Sequence, residues 1–113
     1  MLIRKEETIK KQNSADCTVW EYEYPSDGFS FAVALIKGRY PQEDSAVNTQ
    51  CEEIYYVING SGVIHSAKGD FPIEKGDLYH FEKGEKYWVE GADLSVSIIN
   101  VPKWTPEQYK IVK

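Results

Sequence analysis

Long apolar runs are missing from this chain. The longest uninterrupted one is Phe31 to Ile36, far short of the ~20 residues a helix needs to span a bilayer. Basic blocks are missing too: 13 Lys and Arg against 18 Asp and Glu leave a formal charge of −5. That balance argues against nucleic acid and against an anionic membrane as partners. The opening residues, Met1-Leu2-Ile3-Arg4-Lys5-Glu6-Glu7, lack the apolar stretch of a signal peptide. Cysteine is scarce, and Cys17 with Cys51 makes no disulfide framework. A cytoplasmic, reducing location is the expectation. Outside the tail no segment keeps a 3.6-residue period, which excludes a helix bundle.

Aromatic residues are plentiful: eight Tyr, three Trp and four Phe among 113 residues. A chain of this length fits one domain, 1–113, with a core of its own. So many rings suit a packed β core or a wall for a ligand.

The stretch Cys51-Glu52-Glu53-Ile54-Tyr55-Tyr56-Val57-Ile58-Asn59-Gly60-Ser61-Gly62 organises the rest. Ile54 to Ile58 is β-branched and aromatic, as a pleated surface prefers. Asn59-Gly60 tolerates positive φ and predicts a tight hairpin turn. Glu53 opens the apolar run, and a carboxylate entering a core needs a partner.

Residues 1–16 are polar and lysine-rich and read as an extended lead-in. Trp20, Tyr22 and Tyr24 then alternate with Glu21 and Glu23, which predicts a half-buried strand with one acidic face. Pro25-Ser26-Asp27-Gly28 is a turn, and Phe29 to Ile36 a strand covered on both faces. Residues 39–50 are irregular and read as a loop of functional size. Short strands follow at 63–67, 71–73, 78–81, 86–89 and 94–101, separated by Gly-Asp and Lys-Gly turns. The acidic residues at 82, 85, 90 and 93 read as a solvated rim. Thr105, Pro106 and Gln108 predict one helical turn in the closing tail, 102–113, with Trp104 packed on the barrel. About eight short strands with regular turn signals predict an all-β sandwich or barrel.

Two blocks resemble the cupin family, a small jelly-roll barrel (double-stranded β-helix), over roughly residues 29–108. One is Glu53 followed by Gly60; the other is Gly76-Asp77 with Gly84 and Tyr87. The resemblance implies a metal held by two histidines and a glutamate of the first motif and a histidine of the second. Those positions fall on Val47, Thr49, Glu53 and Tyr87, and the second motif's proline falls on Glu82. Three of the four ligands are therefore replaced, and a first-row metal needs several close N, O or S donors. The expectation is a barrel with no metal and no other cofactor. A rebuilt site would have to draw on Cys51, Glu53, Tyr87, His65 and His80.

Thr49, Cys51, Glu53, His80 and Tyr87 are the expected pocket lining. Cys51 shares the parity of Thr49 and Glu53, and the aromatic neighbours Tyr79 and Phe81 suggest an enclosed His80. Glu53, His80 and Tyr87 are the catalytic candidates, with Glu53 either a general acid or base or a hydrogen-bonded structural carboxylate. His65 reads as a satisfied surface histidine. Cys51 reads as an inert thiol, since Glu52 and Glu53 oppose its ionisation. Trp20, Tyr22 and Tyr24 read as core or dimer interface, or else as a sugar-stacking wall. The leading function is a binding module for a small polar or sugar-like ligand. The alternative is an enzyme with isomerase- or epimerase-like acid–base chemistry, or a metal-dependent one. A homodimer through a sheet edge or the N-terminal segment is expected.

Overall fold

Alternating apolar and polar side chains become strand along most of the chain. The computed structural model describes residues 1–23 and 25–113. Tyr24, the third aromatic of the alternation above, lies outside the described residues. The strands are β1 (Ile9–Ser14), β2 (Cys17–Tyr22), β3 (Ser30–Tyr40), β4 (Ser45–Asn48), β5 (Glu52–Ser66), β6 (Gly69–Glu74), β7 (Leu78–Phe81), β8 (Tyr87–Val101) and β9 (Tyr109–Val112). Three-residue 3-10 turns at Lys5–Glu7 and Pro106–Gln108 are the helical elements. Among the described residues no helix is long and apolar enough to cross a membrane.

All pairings are antiparallel. The order runs β1-β2-β3-β8-β4-β9, and β5 pairs with β6, β7 and β8. β8 is the spine, with β3 on one side and β5 on the other along nearly its whole length. The expected hairpin at Asn59-Gly60 does not form. β5 continues through it to Ser66, and the pairing with β8 slips at Val57/Asn59 and Asn59/Ser61. The φ of +76° at Gly60 thus serves a bulge that bends a long strand, not a turn that ends a short one. β8 likewise runs through Gly91. There Gly38, Gly91 and Gly62 stand side by side on β3, β8 and β5. A Cβ at Gly91 would lie 2.4 Å from the Ile36 carbonyl oxygen, and one at Gly62 2.2 Å from that of Glu90. The sheet curls at this row because backbones approach where no side chain fits.

Inside the curl lie Ala34, Ile36, Tyr55, Val57, Ile64, Phe81, Tyr87, Val89, Leu94, Val96 and Ile98. The rings of Tyr55, Tyr79 and Tyr87 all pack on Phe81, with centroids 4.9, 4.6 and 4.2 Å away.

Three expectations change. Residues 45–48 are a strand inside the expected loop, because β9 returns to pair with them. Of the acidic face expected on β2, Glu21 shares the inward parity of buried Cys17 and Val19 and is half-buried, while Glu23 lies beyond the strand and is exposed. Glu85 is not part of a solvated rim but is buried. It accepts bonds from the Ser66 hydroxyl at 2.6 Å, the Glu82 N–H at 2.9 Å and the Tyr79 hydroxyl. Those donors hold its carboxyl below the ordinary value against the upward push of burial.

Candidate functional site

Glu53 enters the core because strand alternation gives it no choice. Tyr55 and Val57 share its parity on β5 and are buried, so Glu53 follows them in and is left 6% exposed. Its cross-strand neighbour on β8 is Asn100. Asn100 Nδ2 donates to Glu53 Oε1 at 2.9 Å, and the Tyr87 hydroxyl donates to Oε2 at 3.1 Å. Burial raises the carboxyl above its ordinary value, and the bonds from Asn100 and Tyr87 offset part of that rise. Asn48 lies near enough to pull the same way, yet its Nδ2 has no hydrogen-bond partner among the described residues.

Beside this acid runs a second buried polar set. Gln108, on the closing 3-10 turn, sends its side chain inward. Its Nε2 donates to Asn48 Oδ1 at 2.9 Å, and its Oε1 accepts from the Gln50 N–H at 3.2 Å and from the Cys51 thiol at 3.4 Å. Thr105 makes no side-chain cap for that turn, and Gln108 does not complete a capping box. Burial pushes the Cys51 thiol up to about 11, with the Glu53 charge adding to the effect, and burial pushes Cys17 up to about 12. Both thiols are inert at neutral pH.

A cavity of about 270 Å³ opens onto Glu53, Asn100 and the phenols of Tyr40, Tyr55, Tyr87 and Tyr109. Its exposed end is framed by Lys11, Glu21, Glu23, Phe29, Lys103 and Trp104. Lys11 is drawn to Glu21 at 2.7 Å. The Tyr40 and Tyr109 hydroxyls bond each other across the wall. Burial raises all four phenols, so they stay protonated at neutral pH. Among the described residues the closed end therefore offers one carboxyl, neutral phenols and the Asn100 carboxamide, and no cationic side chain.

Of the five expected lining residues the structure brings Glu53 and Tyr87 to this cavity. Cys51 is buried behind it, 3.5 Å from Asn100 Nδ2. Thr49 is exposed and its hydroxyl donates to the Gln108 carbonyl at 2.6 Å; β5 begins only at Glu52, so parity does not extend back to 49. His80 points outward, its Nε2 2.7 Å from Glu52 Oε1. Tyr79 and Phe81, which suggested an enclosed His80, lie on the opposite parity of β7, so their burial exposes it. His65 is also outside. It stacks on Trp88 at 3.9 Å, with its ring nitrogens 2.7 Å from Asp70 and 2.8 Å from Glu90.

Asn100, Asn48, Gln108, Tyr40, Tyr55 and Tyr109 were not anticipated. Asn100 had a signal, since it continues the inward series Leu94, Val96, Ile98. Gln108 and Tyr109 had none, because their place depends on where the tail returns.

No family model matches the chain. An oxalate-binding protein of Thermotoga maritima is 42% identical over 38 residues, which is 34% of this chain and 31% of that protein. Similarity of shape reaches further. A variant of Streptomyces PAC13 with uridine superposes with a TM-score of 0.91 at 14% identity, over 100% of this chain and 90% of that one. The cupin domain of Schizosaccharomyces pombe Cnp3 gives 0.69 at 9% identity, over 86% and 70%. The chain has the cupin fold. The positions that the sequence resemblance assigns to metal ligands are Val47, Thr49, Glu53 and Tyr87. Val47 offers no donor, Thr49 faces away, and the two oxygens of Glu53 are bonded to Asn100 and Tyr87. The rebuilt alternative does not assemble either: His65 and His80 are outside, and no group of three or more His, Cys, Asp or Glu is placed to hold an ion among the described residues. This donor set does not fit the family's metal.

Proposed function

We propose that this cupin barrel binds a small, neutral, hydroxyl-bearing molecule of nucleoside or sugar type without a metal, and that Glu53 exchanges a proton with it. The observation that carries the reading is Glu53 itself. It is a buried carboxyl with a raised pKa, at the closed end of a cavity and held by one phenol and one carboxamide. A carboxyl whose pKa burial raises keeps its proton to higher pH than a solvated one, which suits it to act as a general acid or base. The phenols and Asn100 supply donors and acceptors for hydroxyls or a carbonyl, while Trp104 near the mouth offers a face for a flat ring. Pac13 is described as a nucleoside dehydratase and its structure contains uridine. That is a property of Pac13, and it favours a nucleoside as the first ligand to try.

The oxalate-binding relative suggests a dianion instead. A dianion at the closed end would meet a buried carboxyl and four phenols, with both lysines of the wall out at the exposed rim. Bringing two more negative charges there without a cation is costly.

Isothermal titration of the purified chain with uridine, ribose and oxalate tests this. Uridine or ribose should give saturable heat and oxalate none. Glu53→Gln should hold the neutral ligand's affinity within about tenfold and abolish any turnover. Tighter binding of oxalate than of either neutral ligand overturns the ligand class. Binding that vanishes after chelation overturns the metal-free part, and turnover retained by Glu53→Gln overturns the role of the carboxyl.

A further inference from the structure

The polar set behind the cavity contains a donor without an acceptor. Asn48 is 2% exposed, and its Nδ2 has no hydrogen-bond partner among the described residues. Its orientation is nevertheless fixed. The Gln50 backbone N–H can only donate, so the Gln108 atom that it meets at 3.2 Å is the carbonyl oxygen. Gln108 Nε2 then faces Asn48 at 2.9 Å, and the Asn48 atom that it meets is Oδ1. Asn48 Nδ2 is thereby turned the other way, and a buried N–H calls for an acceptor.

The acceptor on that side is Glu53. Asn48 shares its parity on β4 with Ala46, and Ala46 stands opposite Tyr87, whose hydroxyl donates to Glu53 Oε2. From the other direction Glu53 Oε1 accepts from Asn100 Nδ2, which lies 3.5 Å from the Cys51 sulfur. The Cys51 thiol in turn donates to Gln108 Oε1. Glu53, Asn100, Cys51, Gln108 and Asn48 thus form a ring that is open at one place, between Asn48 and Glu53. Asn48 is close enough there to work against the upward push of burial on the carboxyl. A carboxylate has about four acceptor sites, and a protonated carboxyl has one O–H and about three. Asn100 and Tyr87 occupy two of them.

We propose that Asn48 is a positioning residue that closes this ring, giving Glu53 a third protein donor and leaving a single site on the carboxyl for the cavity. The inference rests on the reading of Glu53 as the group that exchanges a proton with the ligand. With three sites held, the exchanged proton has one place on the carboxyl. In the ionised form that site accepts one ligand O–H, and in the protonated form it donates to one ligand oxygen. One hydroxyl of the ligand, and not two, therefore answers to Glu53. Neither Asn48 nor Gln108 lines the cavity, so both act through the acid and not on the ligand.

Magnetic resonance on the ligand-free full chain, labelled with nitrogen-15 at asparagine, reads the ring. Glu53→Gln should shift the side-chain amide signals of Asn48 and Asn100, while those of the exposed Asn13 and Asn59 stay in place. An Asn48 signal that stays with Asn13 and Asn59 overturns the proposal whether or not uridine binds. Calorimetric titration of wild type and Glu53→Gln with uridine and its 2′-, 3′- and 5′-deoxy forms then counts the hydroxyls coupled to residue 53. One should be coupled, by at least about threefold in affinity, and Asn48→Leu should abolish that coupling. A purely structural Asn48 would instead weaken uridine and its deoxy forms alike. Two coupled hydroxyls, or a folded Asn48→Leu chain that keeps the coupling, overturn the proposal. A chain that shows the Asn48 shift but binds neither uridine nor ribose supports the ring and overturns the ligand class.

Discussion

Glu53 shows how one side chain can be obligatory in position and costly in charge. Alternation along β5 drives it inward, where burial disfavours the ionised form and only Asn100 and Tyr87 offset the loss. The folded chain therefore holds a proton that the unfolded chain releases, between the ordinary value of 4.5 and the raised one. Stability from this group is present below 4.5 and is lost as pH rises through that window. Glu53→Gln removes the charge while keeping the shape, and the amide can accept from Asn100 and donate to the Tyr87 oxygen. The melting temperature of the variant should gain on the wild type as pH moves from 4 to 8 in calorimetry. A difference that does not change with pH would mean a solvated carboxyl.

At the scale of the element, parity assigns function more strictly than neighbouring residues do. His80 lies between two aromatic residues in sequence and faces away from both in space. His80→Ala should leave the affinity for the bound neutral ligand within about twofold by titration calorimetry, and a tenfold loss would put the imidazole in the pocket. The glycine row depends on the same regularity. Gly91 stands between Gly38 and Gly62 where β3, β8 and β5 curl together. A methyl there would press on the Ile36 carbonyl at 2.4 Å and on its Cγ2 at 2.8 Å. Gly91→Ala should cost about 2 kcal/mol or more in urea unfolding, since backbone cannot step aside as a side-chain tip can. An unchanged midpoint would mean that the curl has slack.

Across the whole molecule the site is an assembly of distant segments. Gln108 of the tail ties Asn48, Gln50 and Cys51 together, and behind them stand Asn100 and Glu53. Gln108→Ala strands several buried polar groups, each costing roughly 1–3 kcal/mol. It also removes the side chain that covers the Cys51 thiol at 3.4 Å. In the wild type neither thiol should react with a disulfide reagent at pH 8, as both are about 1–2% exposed with pKa values of about 11 and 12. In Gln108→Ala, Cys51 should label at least tenfold faster while Cys17 stays protected. Equal labelling of both would mean global loosening and not the loss of a local plug.

Periodicity, turn chemistry and the block around Glu53 are local properties, and they determined what local rules can. They set the all-β class, the cupin resemblance, the inward aim of Glu53 and the loss of the family's histidines. They misjudged Asn59-Gly60 because the same residues that permit a hairpin permit a bulge, and only the partner strand β8 decides between them. They misplaced Thr49 and His80 because a parity argument holds only within one unbroken strand. Tertiary structure alone decided that Gln108 plugs the core and that Tyr40 and Tyr109 meet across the cavity wall. Each of those joins residues far apart in the chain, and a sequence carries no period for a contact that depends on where the tail returns.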